Sequence, residues 1–219
     1  MNAKKILAKG YLWLLLAILY TPILIIAIFS FTETKVLGNW TGFSLKLYTN
    51  LFDGGMSNSL MSAIQNTIII ALVASSIATV LGSVAAIGIY NLKNRQRQAV
   101  NFLNNIPLIN PDIITGVSLM LLFTFVAMWL GRSDILGFWT LLLAHITFNL
   151  PYVILNVLPK LYQSDRSQYE AALDLGCTPF KAFRKVTFPG IVPGILSGFI
   201  MAFTLSLDDF VISYFTAGN

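Results

Sequence analysis

Five long apolar runs organise this 219-residue chain, separated by short stretches in which lysine, arginine, glycine and proline collect. A membrane-crossing helix needs roughly 20 mainly apolar residues. On that measure the spans fall at Tyr11–Phe31, Ala63–Tyr90, Ile106–Leu130, Ile135–Leu158 and Ile191–Phe215. The pattern predicts an all-α integral membrane protein, a polytopic helical bundle. Pro107 and Pro111 break the entrance to the third span, and Pro151 predicts a kink in the fourth. Lys4, Lys5 and Lys9 precede the first run as they would in a signal peptide. That run exceeds a signal core of about 7–15 residues and no small-x-small cleavage site follows it, so it reads as an uncleaved anchor.

Composition agrees with this class. The chain is 56% hydrophobic and 11% charged, with a mean hydropathy of +0.75, where a soluble domain carries about 25% charged residues. The net charge of +5 raises nucleic acid as a partner. The basic residues lie between apolar runs, without a basic face or aromatic interleaving, so no nucleic-acid partner is expected. A single cysteine, Cys177, excludes an internal disulfide.

The basic residues also set direction, because lysine and arginine collect on the cytoplasmic side. Lys4, Lys5, Lys9, Lys93, Arg95, Arg97, Lys160, Arg166, Lys181, Arg184 and Lys185 fall on one side, and Lys35, Lys46 and Arg132 on the other. The N-terminus is therefore expected in the cytoplasm and Asn219 outside. Thr32–Ser62 is then an external loop, in which FSLKLYTNLF predicts a short helix near the membrane surface.

The loop after the fourth span reads SQYEAALDLGCTPFKAFRKVTFPG. Ser167 followed by Glu170 predicts a capping box at a helix start. Gly176 is the expected stop, being free to take a left-handed backbone. Thr178 and Pro179 predict the start of a second helix, with Lys181, Arg184 and Lys185 on one face. Such a basic amphipathic helix suits a lipid surface. The first helix suits protein docking better: Ala171 and Ala172 allow close backbone approach, and Leu175 adds an apolar contact.

EAALDLG, nine further residues and then VTFP resemble the EAA loop of binding-protein-dependent ABC importer permeases. Glu170, Ala171, Ala172, Gly176 and Pro189 match that pattern, while Val186 and Phe188 stand where isoleucine and leucine are usual. NTIIIALVASSIATVLGSVAAIGIY is similar to the second core helix of the family. IPLINPDIITGVSLMLLF, HITFNLPYVI and SLDDFVISYF resemble its polyamine (spermidine/putrescine) branch.

The resemblance implies one permease domain over 1–219 in a bacterial inner membrane, with a cytoplasmic coupling loop over 159–190. Glu170, Ala171, Ala172, Leu175 and Gly176 would engage an ATPase. The implied partners are a second homologous permease, two ATP-binding subunits that hold ATP and Mg, an external substrate-binding protein and a polyamine. Members carry a sixth span, which is expected but absent from this chain. The chain has no G-x-x-x-x-G-K-[ST] sequence. It is expected to be a non-enzymatic subunit without a cofactor or metal of its own.

Asp208 and Asp209 lie in one of the most apolar stretches, between GILSGFIMAFTL and VISYF. An aspartate at the bilayer centre costs about 2.5–3.5 kcal/mol, so a lipid-facing pair would cost about 5–7 kcal/mol. They are expected to face protein or a wet cavity. Gly190, Gly194, Gly198 and Ala202 recur every fourth position, a spacing that lets helices pack closely in lipid. On an ideal helix Asp209 falls within the arc of these small residues and Asp208 about 80° to the other side of Gly198.

Asp112, after the two prolines, is a candidate for the same cavity. A carboxylate–ammonium pair at about 4 Å contributes about 4 kcal/mol before desolvation at an effective dielectric near 20. Tyr152, Phe210 and Tyr214 can add cation–π contact to a polyamine. His145, the single histidine, reads as a buried hydrogen-bonded residue.

Two other classes fit the intramembrane acids. The first is an ion-coupled secondary transporter of organic cations, against which the cytoplasmic loop counts. The second is an aspartyl protease, whose G-x-G-D context is missing. An importer permease for another small solute is the alternative within the favoured class.

Overall fold

Val153 on the long helix after Gly137 is fully buried and meets glycines from two other helices. A β-carbon at Gly82 would lie 2.7 Å from its Cγ1, and one at Gly198 would lie 3.3 Å from its Cα. In a membrane, helices associate through such close packing, because lipid tails are as apolar as leucine. This contact organises the larger part of the computed structural model. The structure describes residues 3–33, 38–52, 55–131 and 135–218. Lys35, Arg132 and Asn219, used above to assign sidedness, lie outside the described residues.

The chain divides into two compact units, residues 1–65 and 66–219. In the first, α1 (Ala3–Phe29) carries Pro22 within it and leaves most of its apolar side chains from Tyr11 onward exposed. The chain then turns back on itself. The Ser44 amide donates to the Phe31 carbonyl at 2.8 Å, and the Phe31 ring stacks on Phe43 with centroids 5.5 Å apart. The Thr32 and Thr41 hydroxyls pair at 2.9 Å. The short helix expected in this loop is α2 (Lys46–Phe52). The next helix, α3 (Gly55–Asn91), starts eight residues before the predicted Ala63, and the unit boundary falls within it.

The second unit contains α4 (Asn94–Ile109), α5 (Asp112–Trp129), α6 (Phe138–Gln163), α7 (Arg166–Asp174), α8 (Pro179–Ala182), α9 (Phe188–Asp208) and α10 (Val211–Thr216). All regular structure among the described residues is helical. Five helical stretches are long and apolar enough to cross a membrane. The core joins Ala78, Ala86 and Ile89 of α3, Val153, Ile154, Val157 and Leu161 of α6, and Ile191 and Ala202 of α9.

Three predicted boundaries are corrected. The third span does not start at Ile106. Pro107 stays inside α4, and the break comes at Asn110 and Pro111, both extended, before α5 begins at Asp112. A residue preceding proline is driven out of the helical region. The fifth span is not one helix to Phe215. It ends at Asp208, and extended Asp209 separates it from α10. The second loop helix does not stop short of the fifth span. It starts at Pro179 as predicted and continues through a π-helical turn, Phe183–Thr187, into α9. The predicted kink residue Pro151 lies within one uninterrupted helix, α6.

The small-residue ridge is also shorter than its sequence spacing implies. A β-carbon at Gly194 would sit 2.8 Å from the Asn156 carbonyl oxygen, whereas one at Gly190 would meet nothing within 4 Å. Close packing of α9 on α6 begins at Gly194.

Candidate functional site

The two neighbouring aspartates have different surroundings. Asp208 ends α9 and is exposed. Asp209 turns inward, with its side chain only 6% exposed. Its Oδ1 accepts the Ile212 amide at 3.0 Å, and its backbone carbonyl accepts the Ser213 hydroxyl at 2.9 Å. A carboxylate that takes a nearby amide competes with continued helix. This explains why α9 stops here, and why an ideal-helix projection does not place Asp209. Its Oδ2 is buried without a hydrogen bond, 3.8 Å from His145 Nε2.

His145 on α6 is buried, as expected, and is held at both ring nitrogens. Nδ1 pairs with Ser206 Oγ at 2.8 Å, and Nε2 pairs with Ser213 Oγ at 3.0 Å. One turn away, the Thr140 hydroxyl donates to the Thr216 carbonyl at 3.0 Å. On the other side of α10, a β-carbon at Gly116 of α5 would lie 3.1 Å from the Phe215 ring. The short helix α10 is thus gripped between α5 and α6.

The structure brings four of the predicted path residues together. Asp112, exposed at the start of α5, lies within electrostatic range of Tyr152 and Asp209, and Asp208 within range of Asp209. Tyr152 packs its ring 5.4 Å from Phe148. Phe210 and Tyr214 pair with each other at 5.8 Å and are exposed. Tyr214 also lines an open cleft of about 500 Å³ with Met120, Leu136 and Phe215. The link from His145 to Asp209 escaped the sequence reading. A lone histidine among apolar residues was its only signal.

At the other candidate site, the helix α7 covers the predicted EAALD segment. Its start differs from expectation. Asp165 is the N-cap, accepting the Ser167 amide at 2.9 Å, and this bond holds its carboxyl below the usual range. Glu170 instead pairs with Arg166, Nε to Oε1 at 3.0 Å. Asp165 and Ser167 both qualify as caps by residue type, and the upstream one takes the role. The stop is as expected. Gly176 has φ +83°, its amide donates to Leu173, and the Cys177 amide donates to Ala172, the Schellman arrangement.

Glu170 and Ala171 are exposed, Ala172 is half-buried and Leu175 is 86% exposed. Behind α7 lies a cavity of about 170 Å³ lined by Tyr90, Leu161, Tyr169 and Phe183, among others. The outward face of α7 therefore presents a short, doubly capped helix with one apolar knob.

Membrane-length helices, a carboxylate-bearing helix break and a presented loop helix define a polytopic α-helical membrane permease. Residues 78–219 match the family described as the binding-protein-dependent transport system inner membrane component. The chain belongs to that family. It is 41% identical over 201 residues to the putrescine transport system permease protein PotI of Escherichia coli K12, covering 91% of this chain and 70% of that protein. It is 39% identical over 212 residues to the spermidine/putrescine transport system permease protein PotC of Haemophilus influenzae, covering 97% and 79%. It is 29% identical over 226 residues to a PotC homolog of Mycoplasma genitalium, covering 99% and 78%.

Proposed function

We propose that this chain is a membrane-spanning permease subunit of an ATP-driven polyamine importer of the bacterial inner membrane. It would form the translocation path with a second, similar permease. Two ATP-binding subunits would dock on the loop helix α7 and carry the ATP and Mg chemistry. An external binding protein would deliver putrescine or spermidine. ATP binding would draw the ATPases together, move the docked helices and switch the path between inward and outward access. The N-terminus would lie in the cytoplasm, on the side where the loop basic residues collect.

The observation that carries the substrate class is that Asp112 lies within electrostatic range of both Asp209 and Tyr152, with Asp208 beside Asp209. Separated anionic groups beside an aromatic face suit a flexible chain bearing several ammonium groups. The names of the relatives support the same class.

Asp209→Asn is the cleanest probe, because its amide oxygen can still accept the Ile212 amide that Oδ1 accepts now. Loss of the charge is expected to slow putrescine uptake about tenfold, the equivalent of roughly 1.4 kcal/mol. The transporter should still co-purify intact. Radiolabelled uptake in membrane vesicles measures this, with Asp112→Asn and Asp208→Asn beside it. Wild-type rates in all three variants would remove the acids from the path.

A further inference from the structure

Asp209 stands at a break in the backbone, where the Ile212 amide of α10 holds one oxygen of its carboxylate. The neighbours of His145 hold the joint itself. Ser213 has one hydroxyl proton, and it goes to the Asp209 carbonyl at 2.9 Å. Towards the imidazole, Ser213 Oγ can therefore only accept, which requires a proton on Nε2. Neutral His145 then accepts from the Ser206 hydroxyl at Nδ1, 2.8 Å away. Ser206 belongs to α9 and Ser213 to α10, so one buried ring ties together the two sides of the break.

The same Nε2 lies 3.8 Å from Asp209 Oδ2, too far for a full hydrogen bond. Oδ1 is committed to the Ile212 amide, and Oδ2 is left without a hydrogen-bond partner. An uncompensated buried carboxylate oxygen is costly to retain. A donor arriving from outside the chain would satisfy it.

We infer that His145 is a positioning residue for cargo. Through the Nε2 proton that it donates to Ser213 it holds the α10 side of the joint, with Ser206 steadying the ring from α9, so that the buried Asp209 Oδ2 is left unpaired within the chain for a primary or secondary ammonium group. The inference rests on the polyamine reading above and extends it to a residue that does not itself bind the substrate. The ring acts through its Nε2 edge, whereas a purely structural anchor would act mainly through the shorter bond that Nδ1 accepts from the Ser206 hydroxyl.

That difference defines the test. In the complete transporter with its ATPase and binding-protein subunits, reconstituted in vesicles with ATP, putrescine uptake is compared among His145→Asn, His145→Gln, Ser213→Ala and Asp209→Asn. Asparagine places its amide near Nδ1, and glutamine reaches the Nε2 position. His145→Asn and Ser213→Ala are expected to slow uptake about fivefold, and His145→Gln to recover most of that loss. The pair His145→Asn with Asp209→Asn should be no slower than Asp209→Asn alone, since both act on one oxygen.

Equal losses in the asparagine and glutamine variants, or losses that multiply in the pair, would overturn the positioning role. Full uptake by Ser213→Ala would do so as well, and that variant leaves the imidazole itself in place. A wild-type rate in Asp209→Asn alone would instead defeat the underlying assignment of the acid to the path.

Discussion

Glu170→Lys is expected to abolish coupled transport, lowering uptake at least twentyfold, while leaving the loop helix folded. The Arg166–Glu170 pair is exposed, with side-chain accessibilities of 79% and 59%. Such i,i+4 pairs contribute only about 0.3–0.5 kcal/mol. The helix keeps its Asp165 cap and its Gly176 stop, so it survives the substitution. What changes is the outward face. A cation replaces an anion beside Ala171 and the exposed Leu175, whose burial in a partner groove would contribute about 2 kcal/mol. A lysine ammonium carried into such a groove without an anionic partner costs several kcal/mol, enough for the expected loss. Uptake and ATP hydrolysis measured on the same reconstituted vesicles test this, and normal coupling in the variant would remove α7 as the docking element.

Gly194→Val is expected to destabilise the bundle by about 3 kcal/mol. The new β-carbon would come within 2.8 Å of both the Asn156 carbonyl oxygen and Lys160 Cγ. The lysine chain can move aside. The α6 backbone cannot, so α9 must lift off it and give up the packing that holds these helices together in lipid. Gly190→Ala is the matched control. No atom lies within 4 Å of a β-carbon there, and alanine is the better helix former. Thermal unfolding in detergent should show a large fall in midpoint for Gly194→Val and none for Gly190→Ala. Equal midpoints would mean that α9 and α6 do not rely on this contact.

The long-range plan of the molecule was legible because it depends on hydropathy summed over many residues. All five spans, the short helix at Lys46–Phe52 and the glycine stop at Gly176 follow from local composition or local backbone freedom. The errors arose where two local rules compete. At Asn110–Pro111 the steric demand of proline overrode apolarity. At Asp209 a side chain captured the amide that would have continued the helix. At the loop helix, Asp165 displaced Ser167 as cap.

The acids themselves were visible as charges in an apolar stretch. Their different surroundings were not, because the setting of Asp209 depends on His145 meeting Ser206 and Ser213 across 61 and 68 residues of chain. Contacts at that separation leave no periodic trace. The four-residue recurrence of glycine was legible too, but spacing alone could not tell the pressed Gly194 from the open Gly190.

The π-helical turn at Phe183–Thr187 has a geometric consequence for everything beyond it. The Phe188 amide reaches back five residues to the Phe183 carbonyl, so this turn holds one residue more than its neighbours. That surplus advances the azimuth of α9 by about 100° relative to an uninterrupted rod. The orientation in which Gly194 meets α6 is therefore tuned at the start of this span, independently of how far the helix reaches across the bilayer.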